Sequence, residues 1–309
     1  MREWGPHTEE KIGILADYLR AFAQAAKSAR NRVYIDAFAG DTMNVLKTTG
    51  EQFPGSVESA LSVEPPFTSV LLFEKNRRRV QKLRALATDY PERSIAIFEG
   101  DCNERMIEAL SGTSPKAPAF AFLDPDGMEL EWRTVSLIAN HKRQSSNNKV
   151  EMWVLLSTTG LVRMLGSNRA QAEQQRLPEK VARLYGARGP WEAVWNARLD
   201  KRISSAEAKQ AYMLLYMDRL ADLGYKYLLA RSIKNSRSEL YVMVFATDHP
   251  AGKTIMKWAQ EKDRIVHRSS QPTLFDLVES RPPYEDVHTG WRDNFPIELP
   301  EWEEYRWSS

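Results

Sequence analysis

The stretch NRVYIDAFAGDT, residues 31–42, carries the pattern that decides the fold. Residues 33–35 form an apolar run typical of a buried strand, and this run ends in an acid, Asp36. An Ala-Gly pair then predicts a tight turn, which a second acid, Asp41, follows. A strand that stops at a turn of small residues lets the backbone approach a ligand closely. The stretch therefore predicts a loop that holds a nucleotide-shaped cofactor.

Four further apolar runs follow, each ending in a polar residue, with helical patterns between them. They are SVLLFE (69–74), SIAIFEGD (94–101), AFAFLDPDG (119–127) and VEMWVLLS (150–157). Such alternation predicts a parallel, doubly wound sheet of the α/β class. The runs 225–233 and 239–247 are separated by only five residues, too few for a helical crossover, and predict an antiparallel hairpin at the sheet edge. This order is typical of Rossmann-like S-adenosylmethionine methyltransferases.

The same patterns divide the chain into five segments. We expect an N-terminal helix (1–30), a Rossmann-like cofactor-binding core (31–160), a helical basic insertion (161–224), a terminal hairpin and helix completing the core (225–265), and an aromatic, acidic tail (266–309). Thr8 is the predicted N-cap of the first helix. The tail is interpreted as irregular chain anchored by its aromatic side chains, with a partner-binding segment as the alternative.

Composition places the chain among ordinary globular proteins. Of its 309 residues, 42% are hydrophobic and 27% charged. No apolar run approaches the roughly 20 residues needed to span a bilayer, and the N-terminus lacks the layout of a signal peptide, so we expect no membrane association and a cytoplasmic location. The single cysteine excludes an internal disulfide, and the five histidines show no ligand spacing. No metal site is predicted.

Acids recur where the predicted strands end, and parallel strands bring these ends to one edge of a sheet. Glu74 suits the two ribose hydroxyls of a cofactor, because one carboxylate accepts two hydrogen bonds. Asp101 is suited to an adenine amino group, and Asp36 or Asp41 to the ammonium of a methionine moiety. The alternative for each acid is a helix N-cap. The predicted cofactor-binding residues are Asp36, Ala39, Gly40, Asp41, Glu74, Asp101 and Cys102.

The missing motifs narrow the choice of cofactor. NAD would require the three-glycine fingerprint, and ATP a lysine-bearing phosphate loop, and the sequence has neither. S-adenosylmethionine carries a sulfonium and no phosphate, so it tolerates a site rich in carboxylates. We therefore predict S-adenosylmethionine as the cofactor.

The motif FLDPDG, residues 122–127, supplies the predicted catalytic residues Asp124, Pro125 and Asp126. Asp-Pro after a buried strand fixes a rigid turn that presents the Asp124 carboxylate and two carbonyls at the sheet edge. Similar loops occur in methyltransferases that act on exocyclic amines of bases, where the acceptors orient the amine toward the methyl group. Cys102 as a nucleophile is the alternative chemistry.

Residues 8–265 as a whole resemble the three-Cys-motif partner proteins (TcmP). The landmarks, in order, are YIDAFAG (34–40), PGSVESAL (54–61), LLFEKN (71–76), GDCNE (100–104), FLDPDG (122–127) and VFATDHPAGKTIM (244–256). The resemblance implies a Rossmann-like, methyltransferase-related fold and a protein partner with a three-cysteine motif. Two positions depart from the family pattern: Asp41 follows the Ala-Gly pair where the family has proline, and Asp126 follows Asp-Pro where the family has an aromatic residue.

Charge is distributed unevenly along the chain. Residues 163–209 contain ten Lys or Arg against five Asp or Glu, whereas residues 268–309 contain four against nine. The basic insertion predicts contact with nucleic acid, with a solvated helix face as the alternative. The leading hypothesis is a methyltransferase that modifies an exocyclic amine of a nucleic acid or nucleotide-like substrate. The alternatives are a non-catalytic partner protein in a defence or modification system and a small-molecule methyltransferase.

Overall fold

The computed structural model describes residues 3–142, 148–166, 168–234, 239–266 and 291–307. Within these ranges the chain forms twelve strands and eleven helices. The strands are β1 (Glu3–Trp4), β2 (Val33–Asp36), β3 (Met43–Leu46), β4 (Gln52–Pro54), β5 (Ser69–Glu74), β6 (Ser94–Glu99), β7 (Ala119–Leu123), β8 (Glu151–Leu156), β9 (Ala187–Arg188), β10 (Tyr227–Lys234), β11 (Glu239–Thr247) and β12 (Glu303–Glu304). The helices are α1 (Pro6–Ala25), α2 (Ser56–Leu61), α3 (Arg77–Ala87), α4 (Cys102–Ser111), α5 (Trp132–Asn140), α6 (Thr158–Leu165), α7 (Arg169–Gln174), α8 (Leu177–Tyr185), α9 (Pro190–Leu199), α10 (Ser205–Asp222) and α11 (Pro250–Val266).

A seven-stranded sheet forms the centre of the molecule, in the order β6-β5-β2-β7-β8-β11-β10. The first five strands of this order pair in parallel, and β11 runs antiparallel to both β8 and β10. Numbered along the chain, the order is 3-2-1-4-5-7-6 with an antiparallel seventh strand. This confirms the predicted Rossmann-like methyltransferase-type sheet with a terminal hairpin.

Apolar side chains cover the sheet on both faces. One buried cluster joins a face of the sheet to α4, α5 and the helices between β8 and β10, and the other joins the opposite face to α1, α2, α3 and α11. Strands buried on both faces explain why the sequence showed continuous apolar runs instead of alternation. Among the described helices, none has the length and apolar character needed to cross a membrane.

The N-terminal helix begins three residues before the expected position. Gly5 is the N-cap and Pro6 the first helical residue, so Thr8 lies inside α1 and is buried. Proline at the first position is favoured because its fixed φ already suits a helix. The prediction of Thr8 as the N-cap was therefore wrong.

A second, three-stranded sheet, in the order β1-β3-β4, was not expected from the sequence. Strand β1 pairs in parallel with β3, and β3 pairs antiparallel with β4. Strands β3 and β4 follow the turn after β2, α2 comes next along the chain, and β1 joins them from before α1. The loop after the first strand of the central sheet is thus a folded unit that faces the edge where the acids lie.

The insertion and the described part of the tail pack together. Helices α6 to α10 lie between β8 and β10, and their apolar residues belong to the same buried cluster as the sheet. Strand β12 of the tail pairs antiparallel with β9 of the insertion. Trp291 of the tail is buried and donates to Asp218 of α10. The rest of the predicted tail, 267–290 and 308–309, and the hairpin turn at 235–238 lie outside the described residues.

Candidate functional site

A cleft of about 620 Å³ opens at the carboxyl ends of the central strands. It lies around β2 and β7, where the strand order reverses, which is the usual ligand position in open α/β sheets. Eight of the ten residues predicted for the site line it: Ala39, Gly40, Asp41, Glu74, Cys102, Asp124, Pro125 and Asp126. The structure thus brings residues from four separate strand ends together at one surface.

Glu74 ties the two loops beside it. One of its oxygens, Oε2, accepts a hydrogen bond from the Gly40 amide at 3.0 Å, and Oε1 accepts from the Asn76 amide at 2.6 Å. Gly40 has φ +66°, a conformation that favours glycine. Because a carboxylate can accept about four hydrogen bonds, Glu74 keeps acceptor capacity toward the cleft.

Asp41 is held by two basic residues of α3. Its carboxylate lies 2.6 Å from the Lys82 ammonium and 3.4 Å from Nε of Arg79. The Arg79 guanidinium also reaches Glu74, at 3.6 Å, and itself lines the cleft. A negative charge at Asp41 is therefore balanced within the protein. Its predicted role toward a ligand ammonium remains a prediction.

Asp36 lies behind the cleft and does not line it. Its side chain is fully buried, and it accepts hydrogen bonds from the Tyr34 hydroxyl at 2.9 Å and the Phe38 amide at 3.2 Å. Burial raises the pKa of Asp36 to about 6, although hydrogen bonds from Ser56, Tyr34 and Phe38 oppose this. The Asp36 carboxyl positions the loop after β2, next to the ligand surface.

Asp101 is the other predicted residue outside the cleft wall. It is the N-cap of α4, where it accepts from the Asn103 amide at 2.9 Å, and it pairs with Lys75 at 3.0 Å. Its neighbour Cys102 lines the cleft but is only 1% exposed. Burial and then the Asp101 charge raise the pKa of the Cys102 thiol to about 12. A thiol of this kind is protonated at physiological pH, which argues against nucleophilic catalysis by Cys102.

Asp124 meets a buried lysine at the other end of the cleft. The Lys11 ammonium, from α1, lies 2.5 Å from Oδ2 of Asp124, and the lysine is 5% exposed. Beyond Asp124 the chain turns sharply, because the Gly127 amide donates to the Pro125 carbonyl at 3.0 Å and Gly127 has φ +104°. Oδ1 of Asp124 is the oxygen not bonded to Lys11.

The sequence interpretation missed one wall of the cleft, formed by Trp4, His7, Lys11 and Tyr241. Lys11 carried a signal, because it stands four and seven residues before Leu15 and Tyr18, on the apolar stripe of the helix. A lysine on such a stripe is placed to meet a buried partner. Tyr241 carried no signal, since aromatic residues are common in strands.

The solved structures that resemble this chain have little sequence identity with it. No protein-family model and no curated protein matches the chain. A DUF519 protein of Legionella pneumophila is 12% identical with a TM-score of 0.49, over 82% of this chain and 90% of that one. TYW2 of M. jannaschii, solved in complex with AdoMet, is 12% identical with a TM-score of 0.35, over 79% and 76%. An rRNA methylase of Streptococcus thermophilus is 8% identical with a TM-score of 0.34, over 76% and 92%.

The strand order, with its antiparallel seventh strand, is that of a Rossmann-like methyltransferase fold. Membership of the three-Cys-motif partner family stays a prediction.

Proposed function

We propose that the chain is an S-adenosylmethionine-dependent methyltransferase that modifies an exocyclic amine of a nucleic acid or nucleotide-like substrate. The observation that carries the proposal is the placement of Glu74 and Asp124 in one cleft at the point where the strand order reverses. The cleft thus has a carboxylate for each of two ligands. The Glu74 end is assigned to the cofactor and the Asp124 end to the methyl acceptor.

The residues at the Glu74 end fit S-adenosylmethionine. Glu74 is fixed by two backbone amides and keeps acceptor capacity, as the two ribose hydroxyls require. The glycine at position 40 lets the backbone approach a ligand closely. When bound, the cofactor would supply an electrophilic methyl group and leave as S-adenosylhomocysteine, its sulfur keeping the electron pair of the broken bond.

Asp124 acts on the acceptor. Its Oδ1 would accept a hydrogen bond from the amine and hold the nitrogen lone pair toward the methyl group. As the nitrogen forms its new bond to carbon, one N–H proton becomes acidic, and the Asp124 carboxylate takes it up and releases it to water. Since the methyl group is already activated, orientation of the amine is the main contribution of the protein. Lys11 holds the other oxygen of Asp124 and so fixes the direction of the carboxylate.

Calorimetry with S-adenosylmethionine and S-adenosylhomocysteine tests the cofactor assignment. Glu74→Gln should weaken binding at least tenfold, because it removes charge-assisted hydrogen bonds worth about 1.5 to 3 kcal/mol each. Glu99→Gln is the matched control: Glu99 pairs with Glu74 in register and also ends its strand, but lies outside the cleft wall. Absence of heat from the wild type with either ligand at millimolar concentration would reject the proposal.

A second substitution separates binding from chemistry. Asp124→Asn should abolish methyl transfer while the affinity for S-adenosylhomocysteine stays within a few fold, since Asp124 lies at the acceptor end. Methyl transfer is measured with labelled cofactor on total RNA, genomic DNA and free nucleosides. Equal loss of transfer and cofactor affinity would contradict the assigned role.

The basic insertion is the proposed contact for the nucleic acid. Helix α6 starts directly after Ser157, which lines the cleft, so the insertion leaves the sheet at the site itself. Arg163, Arg176 and Lys180 of the insertion are exposed. Exposed cations on the insertion would bind phosphates on either side of a target base. A chain that binds cofactor and no nucleic acid would favour the small-molecule alternative, and one that binds neither would favour the partner-protein alternative.

A further inference from the structure

We propose that Tyr241 recognises the methyl acceptor, and that the acceptor is a planar nitrogen heterocycle whose exocyclic amine stands beside an unprotonated ring nitrogen, as in adenine and cytosine. The inference rests on the proposed function and names the substrate class for the Asp124 end of the cleft. Its observation is the buried hydroxyl of Tyr241, which has no hydrogen-bond partner among the described residues.

The Tyr241 hydroxyl is placed to meet a ligand. Tyr241 lines the cleft, and its ring lies 5.3 Å from the Lys11 ammonium that binds Asp124. A buried hydroxyl without a partner is unfavourable, so a protein that keeps one in a cleft wall gains when a ligand atom satisfies it. Burial, then the charges of Asp124 and Glu10, raise the pKa of Tyr241 above its ordinary value. The phenol is therefore neutral and able to donate.

A hydrogen-bond donor, the Tyr241 hydroxyl, and an acceptor, Oδ1 of Asp124, both lie at this end of the cleft. Tyr241 offers a hydroxyl hydrogen, and Asp124 offers Oδ1, while Lys11 occupies Oδ2 of the same carboxylate. A ligand that satisfies both must present an N–H donor beside a hydrogen-bond acceptor. The amine and adjacent ring nitrogen of adenine and cytosine present this pair with the exocyclic amine as the donor, whereas the donor of uracil is a ring N–H, so uracil has no amine to place on Asp124.

The wall around Tyr241 suits a flat ring. His7 packs edge to face against Tyr241, with ring centroids 6.4 Å apart, and Trp4 lines the same side of the cleft. Burial and then the nearby Lys11 charge lower the pKa of His7, so the imidazole is neutral and packs as an aromatic group. Aromatic side chains in such a wall stack on bases without needing a particular sequence.

The experiment measures nucleoside affinity by saturation-transfer NMR titration with saturating S-adenosylhomocysteine, which fills the cofactor end. The nucleosides are adenosine and cytidine, each compared with its analogue lacking the amine, purine riboside and pyrimidin-2-one riboside. Adenosine and cytidine should bind more tightly than their analogues. Tyr241→Phe, which removes one hydroxyl, should weaken adenosine and cytidine about tenfold. Tyr227→Phe is the matched control, because Tyr227 lies on the neighbouring strand outside the cleft wall.

Stability gives a second, independent readout. If the Tyr241 hydroxyl has no partner in the free protein, Tyr241→Phe should unfold at the same urea concentration as the wild type or a higher one. A clear loss of stability would show that the hydroxyl already has an internal partner and would overturn the inference. Nucleoside affinities that do not change when the amine is absent, or when Tyr241 is replaced by phenylalanine, would also overturn the inference.

Failure of the proposed function gives a different result. If S-adenosylhomocysteine does not bind, the titration is repeated without it on Glu74→Gln and Tyr241→Phe. Nucleoside binding that depends on Tyr241 and not on Glu74 supports the recognition site although the cofactor assignment has failed. Binding that depends on Glu74 alone places the nucleoside at the other end of the cleft and overturns the inference.

Discussion

At the scale of single residues, two glycines with left-handed backbone differ in what surrounds them. Gly186, at the end of α8, has φ +67°, and a Cβ built there would lie 2.2 Å from the ring of Trp132. Gly50 has φ +73°, and a Cβ built there meets no heavy atom within 4 Å. Substitution by alanine therefore separates backbone strain from steric overlap.

Gly50→Ala should cost about 1 to 2 kcal/mol of unfolding free energy, the strain of a left-handed residue with a Cβ. Gly186→Ala should cost clearly more, because Trp132 is buried and would have to move. Urea unfolding of both variants checks this. Equal costs would mean that the contact between Gly186 and Trp132 is looser than described.

The buried carboxyl of Asp36 predicts a dependence of stability on pH. Its pKa in the fold is about 6, above the ordinary value of 3.8, because burial favours the neutral form. Between these values the folded chain binds more protons than the unfolded chain, so stability falls as pH rises. Above both values the full cost of ionisation is present, and below both values it is absent.

Asp36→Asn removes that ionisation and keeps the size of the side chain. Between about pH 4 and about pH 7 the stability of the variant relative to wild type should rise by about 2 kcal/mol. Urea unfolding at a series of pH values measures the difference. A constant difference across this range would mean that Asp36 stays ionised throughout.

At the scale of elements, one arginine of α10 adds to the β9–β12 pairing and the Trp291–Asp218 hydrogen bond that join the tail to the insertion. Arg219 lies between two indole rings, with its guanidinium carbon 5.1 Å from Trp132 and 5.3 Å from Trp302. It donates to the Tyr185 carbonyl at 3.1 Å and forms two hydrogen bonds to Glu304, at 2.8 Å and 3.2 Å. The guanidinium is buried, whereas Glu304 is 71% exposed. The contacts of Arg219 with the two indole rings and the Tyr185 carbonyl should therefore stabilise the packing of the tail more than the ion pair with Glu304 does.

Arg219→Met should cost about 2 to 4 kcal/mol of unfolding free energy, because it removes two cation–π contacts and a buried hydrogen bond. Glu304→Gln should cost less than about 1 kcal/mol, since an exposed partner contributes little. Urea unfolding compares the two variants. Similar losses would show that the ion pair, and not the aromatic packing, holds the tail.

The elements that the sequence predicted and those it missed differ in how they form. Strands β2, β5, β7 and β8 are continuous apolar runs buried on both faces, and β6 is a half-buried apolar run at the sheet edge, so their own composition identifies them. Strands β1, β3 and β4 have two to four residues each, and β1 pairs with β3 across about forty residues of chain. Such short strands are set by their partners, which a single sequence does not show.

The residues of the site likewise fall into those that the sequence predicted and those that it missed. Acids at strand ends could be predicted because strand order brings those ends together. The wall that contains Lys11 and Tyr241 joins residues 230 positions apart, one from a helix and one from a strand, and depends on how α1 packs against the hairpin. Local patterns carry no information on that packing.

At the scale of the whole molecule, charge predicts how nucleic acid would bind. An alanine variant at Arg163, Arg176 and Lys180 should bind more weakly to all sequences. It should also reduce the slope of log affinity against log salt by about 2 to 3, because each lost contact releases one counterion fewer. The control variant carries alanine at Lys27, Arg30 and Lys116, three exposed cations that precede β2 and β7 and so lie toward the opposite edge of the sheet.

The measurement is filter retention of DNA and RNA, duplex and single-stranded, from low to physiological salt. The control variant should retain the wild-type slope. Equal reductions in both variants would indicate a general charge effect, and no binding by the wild type would reject the insertion as a nucleic-acid contact.

Because Cys102 is buried, the rate at which a thiol reagent modifies it reports how often the structure around the cleft opens. The sequence has one cysteine, and its thiol is shielded in the wall of the cleft. A thiol reagent can therefore modify the chain only from states in which α4 has moved away or the protein has unfolded. When closing is faster than modification, the observed rate is the intrinsic rate multiplied by the equilibrium constant for opening, as in amide hydrogen exchange. Any ligand that binds only the closed cleft will slow modification of Cys102 by the factor 1 + [L]/Kd. The affinity of such a ligand can therefore be measured on the wild-type chain, without an attached label and without an assay of turnover.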